Sequence, residues 1–306
     1  MQRLLPALFS LTFLVIGPQA RADNGPIAFS SDRTGNSDIF LLGPGGGLLQ
    51  LTVDPASDTA PTWPPGGRRL AFTSTRTGNR DIFALDLDDG GLIQLTDSPE
   101  SESYPSWSPQ DDRIAYVVYS GAQANLFIMD SKGQQRRQLT FDSALTTFPH
   151  WSPDGRFILF DQTGPQVQEI YRITPEGGSR INLTDTPHAD AWGAWSPDGR
   201  HIAFTSNRDG NEEIYRMDAD GGNPTRLTDH PAADFLPAWS PDGRHLVFAS
   251  WRDGNEEIYL MDADGGNPTR LTWDAGRDLK PAWGPAGAVV TPIEATSWGG
   301  LKRQRH

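Results

Sequence analysis

Cysteine is absent from all 306 residues, so no disulfide adds stability and no lipid-bearing cysteine follows the N-terminal segment. Basic charge is scarce: 26 Lys and Arg stand against 39 Asp and Glu, a formal net charge of -13. A nucleic-acid binder needs a basic face, as does a protein that adheres to anionic lipid, and this composition excludes both. The acidity serves solubility or attracts cationic partners. Past the N-terminal segment no apolar run is long enough to cross a membrane, so no membrane insertion is expected. Helical periodicity is also missing throughout.

The chain begins MQRLLPALFSLTFLVIGPQARA. A positive residue, Arg3, precedes the mostly apolar stretch Leu4 to Ile16, and Ala20-Arg21-Ala22 is an A-x-A end. This is a secretory signal peptide over residues 1–22, cleaved near Ala22. The mature protein is expected to be soluble, monomeric, and periplasmic or secreted.

What is present is repetition. Trp63, Trp107, Trp151, Trp195, Trp239 and Trp283 recur every 44 residues, and Leu-Thr pairs at 51, 95, 139, 183, 227 and 271 keep the same interval. The stretch NEEIYRMDADGGNPTRLT, from Asn211, returns from Asn255 with Leu260 in place of Arg216 as its one change. A fixed period of this length means a solenoid, a propeller or an array. Each unit holds a short run with a large aromatic (PAWS), an alternating run (RHLVFAS), a second (NEEIYLMD) and a short end (TRLT). Turns such as Ser240-Pro241-Asp242-Gly243 and Asp264-Gly265-Gly266 separate them. Four strands per unit and six units predict an all-β, six-bladed β-propeller with four-stranded blades over residues 23–290. Its first unit starts at a second strand and its last ends on a first strand. The C-terminal repeat is therefore expected to supply the inner strand of the first blade, with Pro281–Pro285 beside Pro26–Ser31. Residues 291–306, ending LKRQRH, form a basic C-terminal tail.

The run LTDHPAADFLPAWSPDGRHLVFASWRDGNEEIYLMDADG at 227–265 resembles the repeat of TolB-type β-propellers, periplasmic proteins of Gram-negative envelopes. The same repeat occurs in propellers of prolyl oligopeptidase relatives and of oligogalacturonate lyases. The resemblance spans all six units and implies the fold. A scaffold of this kind hosts many activities. The α/β domain that precedes the propeller in TolB has no counterpart here, so any direct Tol-system role stays open. The implied function is that of a non-enzymatic scaffold binding a protein partner in the cell envelope. The alternative is a propeller that binds or processes carbohydrate at the channel mouth.

Chemistry is hard to find in the residues. No G-x-S-x-G nucleophile elbow occurs. His188 and His230 lie in the connections from outer to inner strand (D–A loops), His150 is next to Trp151, and His201 and His245 follow a turn at the other face. They come from different angular positions, so no metal site, no catalytic residue and no cofactor is expected. Asp218-Ala219-Asp220-Gly221-Gly222-Asn223 resembles a calcium loop but lacks its later bidentate acid; it reads as a hairpin turn.

Five residues before each repeat Trp stand Asp58, Glu102, Thr146, Asp190, Asp234 and Asp278, a set of acids at the expected channel mouth. A cation held there is a third reading. The loop after the second strand carries Arg33, Arg76, Arg208 and Arg252. Every unit with the Asp has the Arg, and the units of Glu102 and Thr146 have neither. Joint presence and joint loss predict an Asp–Arg pair inside each blade, which makes these acids structural. The two departing units draw attention instead. Near their loops YSGAQAN and DQTGPQVQ lie Tyr104, Tyr119, Phe141, Phe148, His150 and, one blade on, Trp192. The regular units have Ala60, Leu236 or Leu279 where Tyr104, Phe148 and Trp192 stand. Rim aromatics suit recognition, so Tyr104, Tyr119, Phe148, His150 and Trp192 are the expected partner-binding residues, on the D–A loop face.

Overall fold

The structure, a computed structural model, describes residues 24–164 and 167–288; the expected signal peptide and basic tail lie outside them. The described residues form six four-stranded antiparallel sheets. Five sheets follow chain order. In the first blade, Asp278–Trp283 is the inner strand, and Ile27–Ser31, Asp38–Leu42 and Leu48–Gln50 complete it. Ile27 faces Trp283 and Ser31 faces Asp278. Closure is made as expected, by a strand that starts three residues earlier than the Pro281–Pro285 segment anticipated. Blades 2 to 6 have inner strands Asp58–Thr62, Ser101–Trp107, Thr146–Trp151, Asp190–Trp195 and Asp234–Trp239. No helix among the described residues is long and apolar enough to cross a membrane.

Blade 6 shows why the unit folds so. After the inner strand the Gly243 N–H donates to the Ser240 carbonyl at 2.9 Å, with Gly243 at φ 70°. The second strand, His245–Ser250, is buried on both faces from Leu246 to Ser250. It needs cover on both sides, as a central propeller strand has. The outer strand, Thr269–Arg270, is two residues long, which leaves little free edge for mispairing. The recurrent Leu-Thr pair ends it: the Leu271 N–H donates to the Ile258 carbonyl at 2.8 Å, and the Thr272 hydroxyl accepts the Ile258 N–H at 2.9 Å. The bond from third-strand N–H to threonine hydroxyl repeats in every blade at 2.8 to 3.0 Å.

The core lies between blades. Ala28, Ile39 and Leu41 of blade 1 meet Leu70, Phe72, Phe83 and Leu85 of blade 2. Phe29, Phe40 and Leu42 of blade 1 meet Val247, Ile258 and Leu260 of blade 6. The ring is therefore sealed by backbone pairing inside blade 1 and by apolar packing against both its neighbours.

Removing the chain from Asp278 onward is expected to abolish the single cooperative thermal transition, since blade 1 loses its inner strand and blade 6 one neighbour. A truncated protein that melts like the intact one would show that closure lies elsewhere.

Candidate functional site

The inner strands bring two sets of side chains together: acids at their start and channel residues at their middle. The acids are accounted for inside the blades. Asp58 binds Arg76 at 2.8 Å, Asp190 binds Arg208 at 3.0 Å, Asp234 binds Arg252 at 2.6 Å and Asp278 binds Arg33 at 2.6 Å. Each arginine Nε donates to a serine at 2.8 or 2.9 Å. Each guanidinium lies 4.5 to 5.6 Å from the centres of two stacked or tilted rings of its own blade, such as Phe72 and Phe83. All four carboxylates are buried. Burial raises the pKa of Asp58, Asp234 and Asp278, opposed by the arginines and by hydroxyl hydrogen bonds.

Blade 4 corrects one expectation. Its loop lacks the arginine, yet Arg180, from beside the outer strand, lies 5.6 and 4.9 Å from Phe160 and Tyr171 and binds Asp142. The slot is refilled from the other edge of the blade. In blade 3, Glu102 takes a hydrogen bond from the Ser98 hydroxyl. Burial, with Asp81 also close, pushes its carboxyl up to about 7.

At mid-strand every inner strand bulges. The residue at the bulge has φ between 50° and 57° in all six: Ala60, Tyr104, Phe148, Trp192, Leu236 and Lys280. Such a backbone disfavours residues other than glycine, and here it presents each of these residues to the central channel. The sixth member is therefore Lys280 and not Leu279, as the 44-residue interval itself requires. Neighbouring blades hold the bulges in place. The Ala60, Tyr104 and Leu236 N–H groups donate to Ser30, Thr73 and Thr205 at 3.2, 3.1 and 3.3 Å. At Trp192 the acceptor is a carboxylate oxygen of Asp161, at 2.8 Å.

These six residues floor a cavity of 410 Å³. Its wall continues through Thr62, Ser106, His150, Ala194, Ala238 and Ala282 and through the six repeat tryptophans to prolines of the turns after the inner strands, Pro65 to Pro285. No residue of the D–A loops lines it. The aromatic set expected at the D–A rim thus sits inside the bore, with its cavity toward the opposite face. Tyr104 and Phe148 ring centres are 4.2 Å apart, Phe148 and Trp192 are edge-to-face at 5.9 Å, and Phe235 continues the arc from Trp192 at 5.7 Å. Tyr119 does not line the cavity. Lys280 reaches past the small Ala60, and its ammonium lies 4.8 Å from the Tyr104 ring centre.

Of the described histidines, only His150 lines the cavity. Desolvation lowers its pKa to about 4, so it is neutral at pH 7. His201 and His245 instead stand 3.8 and 3.7 Å from Asp218 and Asp262 near the turns. Asp218 also takes a 2.7 Å hydrogen bond from Asn223, closing the hairpin turn. Among the described residues no three His, Asp or Glu converge in a metal-binding group.

Asp161 escaped the sequence reading. It is fully buried behind the aromatic arc, at the position where Ser30, Thr73 and Thr205 cap the bulges of Ala60, Tyr104 and Leu236. One oxygen takes the Trp192 N–H and the Gln168 amide at 3.1 Å; the other has no partner among the described residues. Desolvation pushes its pKa up to about 8, so at neutral pH it is mostly the uncharged acid. The one available signal was its place in FDQTG, where two other repeats read FTS.

The family model of the TolB beta propeller domain matches residues 7–193, 91–234 and 227–296. No curated protein matches the chain. Among solved structures, TolB from Acinetobacter baumannii is 25% identical with a TM-score of 0.78, over 86% of this chain and 67% of that one. A putative TolB from Agrobacterium tumefaciens is 26% identical with a TM-score of 0.69, over 86% and 91%. An oligogalacturonate lyase from Vibrio parahaemolyticus, 14% identical with a TM-score of 0.58 over 81% and 76%, shares the fold alone.

The carboxyl of Asp161 binds its proton more tightly folded than unfolded. Its contribution to stability is therefore greatest below pH ~4, declines as the unfolded-state carboxyl ionises, and levels off above pH ~8. Relative to Asp161→Asn, the wild-type unfolding free energy is expected to fall by about 1.4 kcal/mol per pH unit between about pH 5 and 7. Denaturant titrations of both proteins check it; parallel pH profiles would contradict the assignment.

Proposed function

Because the chain belongs to the TolB beta propeller family, we propose that it is an exported, non-enzymatic scaffold that holds a protein partner through its channel. In this reading residues 1–22 are removed on export, the propeller of residues 23–290 works as a monomer in the periplasm or outside the cell, and the basic tail at 291–306 lies beyond it. The observation that carries the proposal is the arc of Tyr104, Phe148 and Trp192. Three large rings occupy adjacent blades, at strained backbone positions, with one side open to a cavity. Aromatic side chains in a partly desolvated pocket are what binding hot spots are made of. Their strain does nothing for the blades that an alanine could not do, since Ala60 holds the same φ. The docking end in this proposal is the turn end of the channel, because the cavity extends there, and His150 joins the arc as a neutral polar contact.

A second reading has its own support. The cavity volume falls in the range of about 300–1,000 Å³ used for small ligands, and flat ring faces suit the apolar face of a sugar. Carbohydrate is therefore the alternative occupant of the same site.

A pull-down from envelope extract with the intact mature protein is expected to recover a partner that the Tyr104/Phe148/Trp192 triple alanine variant does not, while the variant still unfolds cooperatively. Equal recovery by both proteins would remove the arc from the interface.

A further inference from the structure

Among the described residues Lys280 is the only charged side chain that lines the cavity. The protein as a whole is strongly acidic, yet no acid among the described residues borders this space. The aspartates of the inner strands are buried against their own arginines, and Asp161 behind the wall is largely uncharged at neutral pH. No described residue of the cavity carries a charge that offsets the ammonium. Its contact is the face of Tyr104, a partial compensation. Desolvation lowers its pKa to about 8, and the next influence is a second cation, Arg80. The ammonium is half-buried, and such a charge without a counter-ion is poorly compensated; an arriving anion supplies the missing partner.

The donors agree. The Nδ1 of His150 accepts the Trp195 N–H at 3.4 Å. In the neutral ring the proton then sits on Nε2, making it a donor. A lone lysine matches a monoanion, with the His150 N–H a separate donor on the wall of blade 4; phosphate groups call for several donors or a bidentate arginine. Around the same floor the aromatic arc offers ring faces to an apolar neighbour of the anion.

We infer that the cavity is a carboxylate site: Lys280 receives a carboxylate that the bound partner segment carries beside an aromatic or apolar group, an inference that rests on the channel being the seat of binding.

Two matched pairs of probes test it by calorimetry. Phenylacetate against phenylacetamide presents the free acid, and acetyl-Phe-Asp-amide against acetyl-Phe-Asn-amide presents the same group on a peptide. The charged member of the peptide pair is expected to bind about tenfold tighter than its neutral partner, the difference an ion pair of this kind supplies. The preference should vanish in Lys280→Gln and persist in Lys280→Arg, which keeps the charge. A preference for the acid confined to phenylacetate would make the source a free acid and overturn the partner-borne carboxylate. Equal binding of acid and amide, a preference that survives Lys280→Gln, or no binding of any probe would overturn the inference. Partner capture lost in the triple alanine variant but intact in Lys280→Gln would discard the carboxylate and keep the channel as the seat. Capture that survives both would discard the channel, and the inference with it.

Discussion

The pairing of Asp278–Trp283 with Ile27–Ser31 is the constraint on which the rest of the molecule depends. A four-stranded sheet whose second strand is apolar on both faces has no stable existence alone. Each blade is covered only by its neighbours, so the cover is complete only if the last neighbour is also the first. Closure by a strand from the far end of the described chain makes the six inner strands converge on one axis. That convergence in turn makes a channel, a floor and a wall out of residues that are far apart in the chain.

The arginine slots show how the repeated unit handles buried charge. In four blades a loop arginine covers two rings and meets a buried carboxylate, which burial makes more basic at Asp58, Asp234 and Asp278. In blade 4 the loop residue is lost, and Arg180 arrives over the equivalent rings from the opposite edge, with Asp142 as a new partner. Two different segments therefore converge on one geometry. In these five blades a planar cation covers the ring pair, whichever segment supplies it.

The fold was legible because its causes are periodic. Trp at 44-residue intervals, turn residues at fixed offsets and the Leu-Thr ending all answer a packing problem that recurs, so repetition in the sequence reports repetition in space. The pairing of Asp with Arg was legible for the same reason, through joint loss. Features without a repeat were not. The 44-residue interval carries Leu236 onto Lys280 and not onto Leu279, but that a bulge turns this position into the channel is invisible as composition. Arg180 and Asp161 are each a single departure whose meaning depends on what another segment places beside it. The end toward which the cavity extends is a property of side-chain direction at the bulge and has no one-dimensional trace.

The same reasoning explains where the chain has diverged. Positions that face a neighbouring blade meet nearly the same surroundings six times and stay alike: Phe72, Phe160, Phe204 and Phe248 are all fully buried aromatics. Positions that face the axis meet no fixed neighbour. At the bulge they are Ala, Tyr, Phe, Trp, Leu and Lys, and one step nearer the turns Thr, Ser, His, Ala, Ala and Ala. Blades 5 and 6 share nearly identical third and outer strands, yet one sends Trp192 to the axis and the other Leu236. A symmetric shell thus encloses an asymmetric bore, with rings on one side and a lone cation on the other. The freedom that packing withholds from the blades is concentrated at the one surface where every blade contributes a side chain, and that is where a ligand can be distinguished.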